Sequence, residues 1–204
     1  MNKSGILYTV IFTFLVCFFF VLLLSIVHAG TIQRIEENQK LFTRRSILSA
    51  FGIEYQSLQE AEEQFQEKIE TEYVNGETVY NAVIDGETAY AHIFTGQGLW
   101  GTINGVLAVN SDLSRIIGME IISHNETPGL GGRIDEEWYK KQFRGEAIPD
   151  NTIAVDTTTS GEGDYQSDNS KVDGISGATR TSQYLEIILN NELDTLQALV
   201  KEME

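Results

Sequence analysis

The chain has one cysteine in 204 residues, Cys17. A lone thiol excludes a disulfide framework and a thiolate set for an iron–sulfur centre. Histidine is scarce too: His28, His92 and His124 stand far apart, without the spacing of a metal-ligand set. Basic residues are outnumbered, 14 Lys and Arg against 30 Asp and Glu. All the acids, and all the bases except Lys3, fall in residues 30–204. So acidic a surface argues against nucleic acid as a partner and against lying flat on anionic lipid. It still admits an anionic cofactor, because nearby backbone N–H donors outweigh a distant field. No catalytic triad, acid–base pair or internal repeat is evident.

Charge is missing altogether between Lys3 and Arg34. Residues 6–29 are almost wholly apolar, and about 20 such residues cross a bilayer as a helix. A cleaved signal peptide is the rival reading, with Val27-His28-Ala29 as the small-residue site. Signal cores are shorter, roughly 7–15 residues, so a retained anchor is expected. Charge bias leaves its orientation open, since Lys3 lies on one side and Arg34, Lys40, Arg44 and Arg45 on the other.

Three parts are expected: an anchor (1–30), a stalk with an amphipathic helix (31–70) and a domain (71–204). The stalk helix covers 31–50, and a second helix covers 57–70 with Leu58, Ala61, Phe65 and Ile69 on one side. Residues 78–84 and 88–94 read as strands around an Asp85-Gly86 hairpin turn. Residues 101–109 and 116–123 are two more strands of the same meander. A Gly-rich loop (125–132), a short helix (135–144), an extended piece (152–155) and an exposed polar loop (156–170) follow. Strands grouped together, with helices at the ends, indicate an α+β fold.

The chemistry concentrates in Asp173-Gly174-Ile175-Ser176-Gly177-Ala178-Thr179-Arg180-Thr181-Ser182. Leu185, Leu189, Leu193, Leu196, Val200 and Met203 follow at helical spacing. The string therefore opens a helix, where unpaired N–H groups and the helix dipole favour an anion such as a phosphate. Gly177 lets the backbone come close to a ligand. The hydroxyls of Ser176, Thr179, Thr181 and Ser182 can donate to phosphate oxygens or be esterified by one. An ordinary helix cap uses the same residue types. Two further strings stand upstream. One is Gly96-Gln97-Gly98-Leu99-Trp100-Gly101. The other is His124-Asn125-Glu126-Thr127-Pro128-Gly129-Leu130-Gly131-Gly132. The second is a turn whose small residues open the backbone to a planar ligand, with Leu130 to pack on a ring and Thr127 to hydrogen-bond ring heteroatoms.

Asp173, Ser176, Gly177, Ala178 and Thr179 match the signature Asp-x-x-Ser/Thr-Gly-Ala-Thr, which resembles the flavinylation motif of the FMN-binding domain family. In that family a flavin transferase joins the Thr hydroxyl to the phosphate of FMN. The resemblance implies covalent FMN on Thr179, with Ser176, Gly177, Ala178 and Thr181 about the phosphate. It also implies Trp100, Glu126, Thr127, Gly129, Leu130 and Gly131 about the flavin. The order of all three strings behind one membrane helix is similar to the C subunits of sodium-pumping NADH:quinone reductases. The G subunits of Rnf ferredoxin:NAD complexes are near relatives and form an alternative. A membrane-tethered FMN-binding sensor or assembly module is another. The first resemblance implies an electron-relay subunit with no catalytic activity of its own. Its partners would be other subunits of a membrane redox complex, and its soluble domain would lie outside the inner membrane.

Overall fold

A computed structural model describes residues 5–159 and 163–203. The chain forms two compact units, divided between Leu41 and Phe42. Helix α1 is continuous over Ile6–Ala50. It carries the one stretch among the described residues long and apolar enough to cross a membrane.

The unit from Phe42 onward is α+β, built on a five-stranded antiparallel meander in chain order. Its strands are β1 (Glu70–Val74), β2 (Glu77–Ile84), β3 (Glu87–Gln97), β4 (Thr102–Asn110) and β5 (Ile116–Ser123). The expected Asp85-Gly86 turn joins β2 to β3, with both residues at positive φ, 52° and 88°. Asn75-Gly76 makes the same kind of turn between β1 and β2, at φ 53° and 95°. That turn and β1 were not expected, because Glu70–Val74 has four exposed positions and no apolar alternation to mark it.

Both faces of the sheet are covered. Along β4, Ile103, Leu107 and Val109 join one core, and Val106 and Ala108 join the other. On the second face lie Ile47, Leu48 and Ala50 from the end of α1, followed by Phe51 and the helix α2 (Leu58–Lys68). Ser57 caps α2, its Oγ accepting from the Glu60 N–H at 3.1 Å. Of the expected apolar side of α2, Ala61 and Ile69 are buried, but Leu58, the first residue of the helix, is 58% exposed.

On the first face lies α4 (Thr179–Met203), burying Leu185, Ile188, Leu189, Leu193, Leu196, Leu199 and Val200. The expected helix at 135–144 is shorter: a 3-10 turn over Gly131–Asp135 precedes α3 (Glu137–Lys141). The extended pieces around residues 154 and 172 pair with each other. They form a parallel ribbon of β6 (Ala154–Asp156) and β7 (Lys171–Asp173). This ribbon delivers the chain to the start of α4.

One buried charge pair locks α4 to the sheet. His92 Nδ1 lies 2.6 Å from Glu192 Oε1, and Nε2 lies 3.5 Å from Glu77 Oε2. Burial disfavours the imidazolium, but the hydrogen bonds and charges of Glu192 and Glu77 outweigh it, so the His92 pKa is raised above 6.5. A raised folded-state pKa adds stability that is complete below about pH 6.5 and is lost as pH climbs through the folded value. In His92→Gln, the difference in melting temperature between about pH 6 and about pH 9 should therefore be smaller than in wild type. An equal difference in the two proteins, measured by thermal denaturation, would remove His92 from the pH response.

Candidate functional site

Three segments meet at the N-terminus of α4. The first is the turn between β3 and β4, closed by the Gly98 N–H donating to the Gly101 carbonyl at 2.8 Å. The second is the loop after β5. There the Thr127 carbonyl accepts from the N–H groups of Leu130 at 3.1 Å and Gly132 at 2.9 Å, which folds the loop back on itself. The third is the passage from β7 into α4. Its Ser182 side chain, fully buried, accepts from the Ile175 N–H at 3.0 Å. Gly177 adopts φ 80°, a conformation that a side chain strains, and turns the chain into the helix.

A cleft of about 300 Å³ lies between these segments. Leu99 and Trp100 line it from the first, and Glu126, Thr127, Leu130 and Gly131 from the second. Gly177, Ala178, Thr179, Arg180 and Thr181 line it from the third. Nine of the eleven residues singled out in the sequence are thus brought together. Ser176 and Gly129 are exposed and do not line the cleft. Leu99 and Arg180 were not singled out. Both adjoin a chosen residue, and neither side chain has a type that signals a ligand on its own.

Thr179 is exposed and is the first residue of α4. Among the described residues, no group accepts from the backbone N–H of Thr179, Arg180 or Thr181. Those donors open toward the cleft end of the helix, where the dipole also favours negative charge. Leu99, Trp100 and Leu130 are 43%, 69% and 47% exposed, an apolar rim around a polar floor.

The expectation for Thr181 needs correction. Its hydroxyl is not free for a phosphate. Thr181 is 1% exposed, and its Oγ1 donates to Glu126 Oε2 at 2.7 Å. Glu126 is 4% exposed, and its Oε1 accepts from the Trp100 N–H at 3.0 Å. One carboxylate therefore ties all three segments together. Asp173, part of the signature, also serves the scaffold. It is buried, its Oδ2 accepts from the Gly163 N–H at 3.1 Å, and its own N–H donates to Gln142 Oε1 at 2.8 Å.

A larger cleft, about 610 Å³, lies by the end of α1, β5 and α3. His124 is its one residue from the three strings. Its buried charges are satisfied among themselves, with Lys140 Nζ 2.7 Å from Glu120 Oε2.

Residues 98–194 match the model of the FMN-binding domain. The chain is 38% identical over 99 residues to the C subunit of the Na(+)-translocating NADH-quinone reductase of Pseudomonas aeruginosa, covering 47% of this chain and 38% of that protein. To the protein of the same name from Chlamydia trachomatis it is 32% identical over 120 residues, covering 52% of this chain and 38% of that protein. The alignments thus span less than half the length of these relatives. Among solved structures, the C subunit of the same reductase from Parabacteroides distasonis superposes with a TM-score of 0.65 at 27% identity. That match covers 84% of this chain and 96% of the other. NqrC of Shewanella oneidensis shares the fold, with a TM-score of 0.61 at 18% identity over 74% of this chain and 96% of its own. Residues 98–194 thus match an FMN-binding domain model, in a chain similar in sequence and fold to the C subunit of the Na(+)-translocating NADH-quinone reductase.

Proposed function

We propose that this chain is the membrane-anchored, FMN-bearing subunit of an ion-translocating NADH:quinone reductase, with FMN esterified through its phosphate to Thr179. The observation that carries the reading is the meeting of an exposed Thr179 with unpaired N–H donors, Arg180 and an apolar rim at one cleft. The donor set suits the group. The N–H groups of residues 179–181 and the Arg180 guanidinium answer a phosphate, while Leu99, Trp100 and Leu130 answer an aromatic ring system.

Bound FMN would supply the redox chemistry of an electron relay. The residues of the chain do the rest. Thr179 fixes the cofactor against loss, the helix start holds its phosphate, and the rim shields the ring from water. No residue need act as an acid or base. Residues 6–29 would hold the domain at the inner membrane, on the periplasmic or outer side. Its partners would be the other subunits of the complex and, during maturation, a flavin transferase.

The test is co-expression of the full chain with an active flavin transferase. A fluorescent band should survive a denaturing gel, and the intact mass should rise by FMN less one water. A wild-type chain that shows neither would overturn covalent attachment.

A further inference from the structure

Among the described residues, Glu126 is the one acidic side chain that lines the cleft. It is almost fully buried, yet neither of its oxygens has a cationic partner among those residues. Its two hydrogen bonds come from neutral donors, the Trp100 N–H and the Thr181 hydroxyl, and each oxygen serves as an acceptor. The space around it is kept by glycine. A Cβ on Gly98 would stand 2.6 Å from Glu126 Oε1. One on Gly131 would stand 2.4 Å from Thr181 Oγ1 and 2.8 Å from Glu126 Oε2. A structural tie between three loops needs only a neutral side chain of this shape, and an uncompensated buried carboxylate is a costly way to make one.

We infer that Glu126 is a positioning residue whose fixed negative charge also lowers the midpoint potential of the flavin. Its hydrogen bonds set Trp100 and the start of α4 on either side of the cleft. Around a carboxylate this buried, a negative charge opposes the arrival of electrons far more than it would in bulk solvent.

This inference rests on FMN occupying the cleft, and the experiment separates the two. Full-length wild type, Glu126→Gln and Thr181→Val are each produced with a flavin transferase, and the flavin midpoint potential is measured by redox titration. Gln keeps the shape and an acceptor for the Trp100 N–H but removes the charge. Glu126→Gln should therefore show a positive shift in potential with its melting temperature near wild type. Thr181→Val retains the charge and loses the tie to α4, so it should melt lower without that positive shift. Glu126→Gln with an unchanged potential would overturn the inference and leave Glu126 a structural tie. If Glu126→Gln fails to fold, Glu126→Asp keeps the charge, and a positive shift of its potential equal to that of a folded Glu126→Ala would overturn it equally. A wild type without flavin fails the underlying reading instead.

Discussion

Thr179→Ala is expected to abolish the covalent flavin and leave the domain folded. Only the hydroxyl and the γ-methyl are removed, from an exposed residue whose hydroxyl has no hydrogen-bond partner among the described residues. Alanine is the best helix former, so the first position of α4 accepts it. Even if the hydroxyl acted as a cap, its loss would cost about 1 kcal/mol. The start of α4 is held by other bonds, from the Ala178 N–H to the Ile175 carbonyl and from the Ile175 N–H to Ser182. The variant should reach the membrane at wild-type level, melt within a few degrees of wild type and give no fluorescent band on a denaturing gel. Thr195→Ala is the matched control, because Thr195 carries a hydroxyl on the same helix and lies outside both the cleft and the signature; it should keep the band. Thr181 does not suit that purpose, since its buried hydroxyl is bonded to Glu126. A Thr179→Ala band as bright as wild type would move the acceptor to another residue.

The sequence pointed to the cleft residues more securely than to their roles. The Gly-Ala-Thr string, the Pro-Gly turn and the Gly-Leu-Trp string are local, and small residues beside one aromatic or hydroxyl mark a close approach wherever they occur. That the Thr181 hydroxyl faces Glu126 and not the open cleft is a matter of helical phase at the first turn of α4. The phase is set by Gly177 and Ser182, and no residue type announces it. The meander was legible where polar turns separate β-branched runs. β1 was hidden because an exposed edge strand reads Glu-Thr-Glu-Tyr-Val, without alternation. The parallel pairing of β6 with β7 joins residues separated by a polar loop, and three-residue strands carry too little pattern to declare a partner. Residues 31–50 read as polar with intermittent apolar points. Burial of Ile47 and Leu48 depends on packing against Ala82, Ala91 and Ala108, small residues whose role appears only once the sheet has formed.

That last contact makes the second large effect. Deleting residues 1–41 is expected to give a soluble, folded protein, and deleting residues 1–51 to give an unfolded one. Every residue of both hydrophobic cores lies at Ile47 or beyond, so the shorter deletion removes none of them. It does remove the apolar run of 6–29, which is longer than the roughly 20 residues needed to hold a chain in a bilayer. The longer deletion strips Ile47, Leu48, Ala50 and Phe51, each 1% exposed or less, from one face of the sheet. It also removes Arg44, which pairs with Glu62, and Arg45, whose Nε donates to the Tyr55 hydroxyl at 3.0 Å. Emptying a single large buried position costs about 2–5 kcal/mol, and whole domains are stable by only about 5–15 kcal/mol. Losing three such side chains together therefore exceeds what the domain can lose. Cell fractionation should place 42–204 in the supernatant, with a cooperative thermal transition by circular dichroism. The 52–204 fragment should show no such transition. A 42–204 fragment that still pelleted with membranes would give the domain a membrane affinity of its own. A 52–204 fragment melting with 42–204 would show that the end of α1 covers the sheet without stabilising it.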